Sequence, residues 1–393
     1  MFNHIILLFT FSTCFIIPFI LWIIRRQQRI DHHHSYDKIN TTSVLNETMC
    51  PSSSKIERRL SSALVKTITI RTCVGIYDDH MKQWRPDFYR YATDDGLDLT
   101  INYVDTLIND NDGNGDDYFE KTIVAIHGVP GYYTHFDKLV EYYRNTNVRV
   151  IVPNLPDFGH TRKTRSFWHT SVEKSTFLKD FLRKLNVKTV DCLICHSFGV
   201  QTAAAICEQP GNLAIKSVAF LSPQPLWDPV RNDEMLKAFK HKSEWWYNFL
   251  SLMRVHKKAY TKLRCANINE FLLLCSIGIE DDTPEKFTHR LQKIIKMNIP
   301  IVLIYGEKER LISKTAIQRL NEQLYIESND IIMIDPDDST YQEQLELTKK
   351  YSSFVIKNGG HFTHCNHHHV ANAIIDNLLK LDNHQQQQQP NDD

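Results

Sequence analysis

The sequence lacks an excess of either charge: 46 Lys and Arg balance 46 Asp and Glu, so the formal net charge is zero. That balance excludes the basic electrostatic footprint of a nucleic-acid-binding protein. A cysteine framework is also missing. The nine cysteines are odd in number and scattered along 393 residues, unlike those of a disulfide-rich or zinc-stapled domain. They read as small buried residues of a chain that folds in reducing surroundings. The histidine triplets His32 to His34 and His367 to His369 do not fall into a zinc-ligand pattern. They read as exposed low-complexity histidines, and neither a metal nor a cofactor is expected.

At the N-terminus no Lys or Arg precedes the apolar run Ile5 to Ile24, and no small-x-small cleavage site follows it. A cleaved signal peptide needs both, so an uncleaved anchor over residues 1–24 is expected. The run is uncharged and just long enough to span a bilayer as a helix, which tolerates Pro18. Arg25, Arg26 and Arg29 after it place the rest of the chain in the cytosol by the positive-inside rule. Two glycosylation triplets, at Asn40 and Asn46, point the other way, so the side of the membrane stays open with a lean to the cytosol. Residues 25–62 are polar and rich in Ser, Thr and Asn, the composition of a tether, and the Gln-rich tail 384–393 is expected to be disordered.

Between tether and tail the apolar content is enough for a real core. Lys66 to Val74 alternates with period two, as a half-buried strand does. Asp87 to Tyr91 and Leu97 to Leu107, joined across Asp94-Asp95-Gly96, have the pattern of a hairpin. Asn109 to Asp117 is a surface loop. Further strands are expected at Ile123 to Ile126, Arg149 to Pro153, Thr189 to Cys195, Ile215 to Leu221, Ile301 to Tyr305, Ile331 to Ile334 and Ser352 to Ile356. Helical spacing falls between them, at Thr134 to Tyr143, Val172 to Leu185, Val200 to Glu208, Ser313 to Tyr325 and Val370 to Leu381. Strands alternating with helices imply a mostly parallel sheet covered on both faces. The alternation fails from Pro225 to about Asn298, where aromatic and charged residues mix at helical spacing with no strand-like run.

Four segments carry chemistry. The first is Cys192-Leu193-Ile194-Cys195-His196-Ser197-Phe198-Gly199, a strand, a sharp turn with a serine at its apex, and an alanine-rich helix. That context exposes a nucleophile, provided small residues stand two places either side of it. Gly199 fills the later place; Cys195 stands where glycine is usual. The others are Ile123 to Gly131 with its His127-Gly128-Val129-Pro130-Gly131 turn, Tyr305 to Glu309, and Gly359-Gly360-His361-Phe362.

Serine, acid and histidine in this order resemble the α/β-hydrolase superfamily over about residues 85–382, and Pro156 to His160 resembles the turn after its fourth strand. The resemblance implies a Ser197 nucleophile, a His361 base and an orienting Glu309, with Asp228 as the alternative acid. It implies an oxyanion hole made of the Val129 and Phe198 backbone N–H groups, with His127 and Pro130 holding the turn structurally. Glu307 reads as a solvated charge. A helical cap is implied at 225–298, dividing a core of 63–224 and 299–383. Relatives with an aspartate nucleophile, the epoxide hydrolases and dehalogenases, do not fit a serine at 197. Val129 departs from the peptidase pattern, although a peptidase or amidase stays open. The expected function is therefore a membrane-anchored serine hydrolase of a carboxylic ester or acyl lipid. A catalytically silent binding protein of the same fold is the alternative. Protein partners are not specified by the sequence.

Overall fold

The computed structural model describes residues 64–77, 94–107, 119–129, 131–156, 158, 167, 170–225, 284–347 and 349–386. The anchor run 5–24, the tether, the loop 109–117, Asp228 and most of the expected cap lie outside them. Among the described residues no helix is long and apolar enough to cross a membrane.

The described residues form eleven strands: β1 (Val65–Thr72), β2 (Leu97–Asp105), β3 (Lys121–Ile126), β4 (Val148–Pro153), β5 (Thr189–Val190), β6 (Cys192–His196), β7 (Ala214–Ile215), β8 (Val218–Leu221), β9 (Ile301–Gly306), β10 (Ile331–Ile334) and β11 (Tyr351–Ile356). Nine of them form one sheet in the order β1-β2-β4-β3-β6-β8-β9-β11-β10. β1 and β2 pair antiparallel, as do β2 and β4, and every other neighbour pair is parallel. The long antiparallel partner of β2 is thus β1, and the other expected hairpin arm, 87–91, lies outside the described residues. The parallel centre explains the sequence pattern. β6, β8 and β9 are buried throughout, because helices cover both faces and no position can remain polar toward solvent.

Two expected strands are each divided. Thr189 to Cys195 becomes β5 and β6, and Ile215 to Leu221 becomes β7 and β8; β5 and β7 pair in a small separate sheet. Asp191 is the break. Its carboxylate accepts the Thr122 backbone N–H at 2.7 Å and pairs with Lys216 at 2.9 Å. Its carbonyl accepts the Ser217 hydroxyl at 2.6 Å. A buried carboxylate with that many partners dictates the local chain path.

The helices are α1 (Asp137–Tyr143), α2 (Ser171–Lys184), α3 (Gly199–Glu208), α4 (Pro284–Lys296), α5 (Lys314–Gln323), the short α6 (Thr363–Asn366) and α7 (His368–Gln386). Helix α1 is preceded by a 3-10 turn over Tyr133–Phe136. Thr170 and Glu173 cap α2 reciprocally, which fixes where it starts. Two apolar clusters mark the two faces of the sheet. One gathers Phe177, Phe181, Val200, Ala203, Phe287, Leu291 and Leu320 from α2 to α5. The other gathers Leu139, Tyr143, Val370, Ile374 and Leu378 from α1 and α7. Helix α4, from the stretch the sequence assigns to the cap, packs beside α3. Its Arg290 donates to Glu208 at 3.1 Å and to the Ser171 hydroxyl at 2.7 Å. Helix α7 starts before the expected Val370 and runs into the Gln-rich tail. The histidine triplet at its start is not all exposed: His367, just before α7, and His368, its first residue, are half-buried.

Cys73, Cys192, Cys195 and Cys207 are free and buried. Cys192 and Cys195 stand three positions apart on β6, so they enter opposite faces, one in each apolar cluster. Cys365 departs from the expectation of unpaired thiols, being disulfide-bonded.

At the ends of β9 and β11 the backbone has no room for side chains. A Cβ on Gly306 would stand 2.1 Å from the Gly359 carbonyl oxygen. Gly306→Ala is therefore expected to destabilise the fold by about 1–3 kcal/mol or more, as overpacking does. Urea denaturation of the purified variant measures it, and an unchanged midpoint would mean that this approach is not tight.

Candidate active site

Each chemistry-bearing segment ends at the same rim of the sheet, the carboxyl ends of β3, β6, β9 and β11. Ligands bind at that rim in open parallel sheets. Ser197 follows β6 directly and precedes α3. Its φ is +52°, a left-handed conformation that a non-glycine residue adopts only under constraint. Three backbone bonds impose it. Ser197 N–H donates to Leu221 O at 2.9 Å, and Ser197 O accepts from Val200 N at 3.3 Å and from Gln224 N at 3.3 Å. Gly199 lets the turn sit against β3, since a Cβ there would meet Ile126 O at 2.9 Å. Phe198 occupies the N-cap of α3, so its N–H belongs to the first, unpaired turn of that helix.

The histidine and the acid come from neighbouring strand ends. His361 Nδ1 and Glu309 Oε2 are 2.9 Å apart, and both side chains are about 6% exposed. The other carboxylate oxygen accepts the backbone N–H groups of Leu311 at 2.8 Å and Ile312 at 3.3 Å. Burial by itself raises the Glu309 carboxyl. The neighbouring His361 charge, the His361 hydrogen bond, the Leu311 N–H and the Ser222 hydroxyl outweigh it and hold the group below the usual carboxylate range. With Nδ1 bonded to a carboxylate, Nε2 is the nitrogen left to exchange protons. Glu307, next along, is exposed but bonded: its carboxylate accepts the Asn358 N–H at 3.0 Å and ties the two loops together. It stays exposed to solvent, as expected, with that one added bond.

The turn after β3 is held by His127. Its Nε2 accepts the Leu155 N–H at 3.0 Å, so the proton sits on Nδ1, which donates to Gly128 O at 2.7 Å. Burial pushes this imidazole down to about 3, so it stays neutral. Val129, the residue beyond Gly128, is half-buried.

Three further histidines crowd this rim, and sequence reasoning missed them. His196 immediately precedes Ser197, His135 lies in the 3-10 turn before α1, and His364 opens α6. Ring centroids lie 4.8 Å apart for His196 and His361, 4.5 Å for His196 and His364, and 5.1 Å for His135 and Phe362. Burial pushes His135 down to about 4 and His364 to about 3, and His196 well below the usual histidine range. They pack as neutral rings. The spacing His361-Phe362-Thr363-His364 was the only trace of this cluster in the sequence. Ser222 was missed as well; nothing in the sequence distinguishes it from any serine at a strand end.

A cavity of about 860 Å³ opens between α5 and the β9, β11 and β10 edge, lined by Tyr305, Glu309, Asn321, Tyr325, Ile331 and Met333 among others. Neither Ser197 nor His361 lines it. Among the described residues no group of His, Cys, Asp and Glu could hold a metal ion.

A family described as the alpha/beta hydrolase fold matches residues 121–258. Among solved structures the chain is similar to a thermophilic esterase from Thermogutta terrifontis, crystallised with malate. The identity is 14% and the TM-score 0.52, over 80% of this chain and 98% of the esterase. It is also similar to a membrane phospholipase A described as a bacterial virulence factor. There the identity is 14% and the TM-score 0.50, over 93% of this chain and 99% of the other. No curated protein sequence matches the chain. The chain has the α/β-hydrolase fold: a largely parallel central sheet flanked by helices.

The neutral histidines generate a prediction about acid stability. An unfolded chain binds protons on histidine below about pH 6.5, whereas half-buried His135 and buried His364 resist protonation down to about 4 or lower. The unfolded state then holds more protons, so stability falls as pH drops from 6.5, by about 1.4 kcal/mol per pH unit for each such histidine. Urea midpoints measured from pH 7 to pH 5 should decline steeply, and His135→Phe should flatten the decline. An equally steep decline in that variant would remove His135 from the account.

Proposed function

From the α/β-hydrolase fold we propose that the protein is a membrane-anchored serine hydrolase that cleaves a carboxylic ester or acyl lipid through an acyl-enzyme. One observation carries the reading: a serine held at φ +52° at a strand end, with a buried histidine–glutamate pair at the same rim. A serine hydroxyl is a weak nucleophile until a base takes its proton, and the base needs a third group to fix its tautomer. Ser197 attacks the carbonyl carbon. His361 receives the hydroxyl proton on Nε2, and Glu309 stabilises the imidazolium that forms. The substrate oxygen gains negative charge and is met by the Val129 and Phe198 N–H groups, the latter at a helix N-terminus. His361 then returns the proton to the leaving alcohol. Water, activated by the same imidazole, releases the acid. The chemistry needs no metal or cofactor.

The esterase and phospholipase names belong to those neighbours; at 14% identity the likeness carries the fold, and the substrate class rests on the site and the anchor run. Residues 5–24 supply the membrane attachment by their length and lack of charge.

A fluorophosphonate requires an activated serine and tests the reading directly. Wild-type protein should be labelled at Ser197, and Ser197→Ala should lose both label and hydrolysis of a short p-nitrophenyl ester. Hydrolysis retained by Ser197→Ala would remove the serine from the mechanism.

Glu309→Gln should lower kcat about 10³- to 10⁴-fold with little change in KM, because the imidazolium it stabilises forms only along the reaction path. Glu309→Asp should recover part of the rate. A mild effect of Glu309→Gln beside a crippling Asp228→Asn would transfer the role of acid to Asp228.

A further inference from the structure

His196 is joined to three of the four segments that the proposed hydrolase reaction uses. Along the chain it is bonded to Ser197. Across the rim its ring Nε2 lies 3.1 Å from the backbone carbonyl of His361. A carbonyl can only accept, so the His196 proton sits on Nε2 and is donated there. On its other edge the ring faces the turn after β3: a Cβ built on Gly128 would stand 3.2 Å from His196 Nδ1 and 2.8 Å from Ser197 Cβ. His196 is 1% exposed, and its Nδ1 has no hydrogen-bond partner. Leaving a buried nitrogen unpaired costs about 1–3 kcal/mol. An apolar residue of similar size would avoid that cost and fill the same space against Phe362 and His364. What it could not supply is the donor.

We infer that His196 is a positioning residue: its single N–H fixes the backbone of the His361 loop relative to the serine turn, an inference resting on the hydrolase reading of the site. The Glu309 bond fixes the His361 ring from the side-chain end. That bond does not involve the serine turn. The His196 bond ties that loop to the residue next to the nucleophile, so ring and serine keep one spacing. Displacement of a reacting group by about 1 Å costs on the order of 100-fold in rate.

The test compares His196→Met, which keeps bulk and loses the donor, with His196→Gln, whose side-chain amide keeps an N–H at similar reach. Fluorophosphonate labelling of Ser197 should slow about 10- to 100-fold in His196→Met, with KM for p-nitrophenyl butyrate within about twofold. His196→Gln should return labelling to within a few-fold of wild type. Amide hydrogen exchange over residues 359–364 should quicken in the Met variant and recover in the Gln variant, which reads loop positioning without reference to activity. Wild-type labelling and exchange in His196→Met would overturn the inference. So would a Gln variant as impaired as Met, because ring shape and not the donor would then be at work. If wild-type protein is not labelled at Ser197, the hydrolase reading falls, and the exchange result alone decides whether His196 holds the loop.

Discussion

The site depends on burying one carboxylate without letting it neutralise. Removing a carboxylate from water costs several kcal/mol unless hydrogen bonds and an opposite charge replace the solvent. Around Glu309 the replacements come from three places: the loop's own Leu311 and Ile312 N–H groups, the Ser222 hydroxyl at the end of β8, and His361 from beyond β11. They converge because β8, β9 and β11 are neighbours in the sheet and run parallel, so their carboxyl ends meet at one rim. The Gly306 and Gly359 backbones then bring the last two loops into contact, with the Lys308 N–H donating to Gly359 O at 2.8 Å. Sheet order, strand direction and two missing side chains are thus conditions for one hydrogen bond.

Much of this was legible in the sequence, for identifiable reasons. Fully buried parallel strands are runs of Val, Ile, Leu and Cys, and runs such as Ile301 to Tyr305 stand out against polar loops. Loops at strand ends carry the glycines, so Gly306, Gly359 and the residues after them were visible together. The pairing of Glu309 with His361 was harder to read, because it depends on which strands adjoin β9 and in what register. No feature within about ten residues of Glu309 or Asp228 encodes that. The division of Thr189 to Cys195 by Asp191 escaped for a similar reason: its partners Thr122, Lys216 and Ser217 are distant in sequence. The bond that exposed Glu307 accepts from the Asn358 N–H was hidden for the same reason, its partner lying in the other loop.

The histidines show how environment separates residues of one type. Among the described residues, His127, His135, His196, His361 and His364 all lie at or near the same rim; His135 is half-buried and the other four are buried. His127 has both ring nitrogens bonded to backbone groups, which leaves it no proton to exchange. His135, His196 and His364 are pushed toward the neutral form chiefly by burial, each further disfavoured by the His361 charge. His361 differs in having a carboxylate partner. A base that must become charged and then neutral again needs that partner on one nitrogen and a free face on the other. Composition gives no hint of the distinction; only the partners do.

Cys195 is the departure from the hydrolase pattern that bears most on whether the serine can act. Two positions before a strained serine, a large side chain would press on the turn, which is why glycine is usual there. In this chain the residue still lies inside β6, and its side chain enters the apolar cluster shared with Val200, Ala203 and Cys207 on the α3 face. Burial raises its thiol well above the ordinary cysteine range, so it stays protonated and packs as a small apolar group. The tight approach falls on the other side of the serine, where Gly199 meets the Ile126 carbonyl and tolerates no side chain. The two small-residue positions are therefore unequal in what they must avoid. The earlier one needs only a side chain that fits the alanine-lined helix α3, and cysteine meets that need. Ser197 keeps its +52° φ with the substitution in place, so the missing glycine is no argument for a silent site.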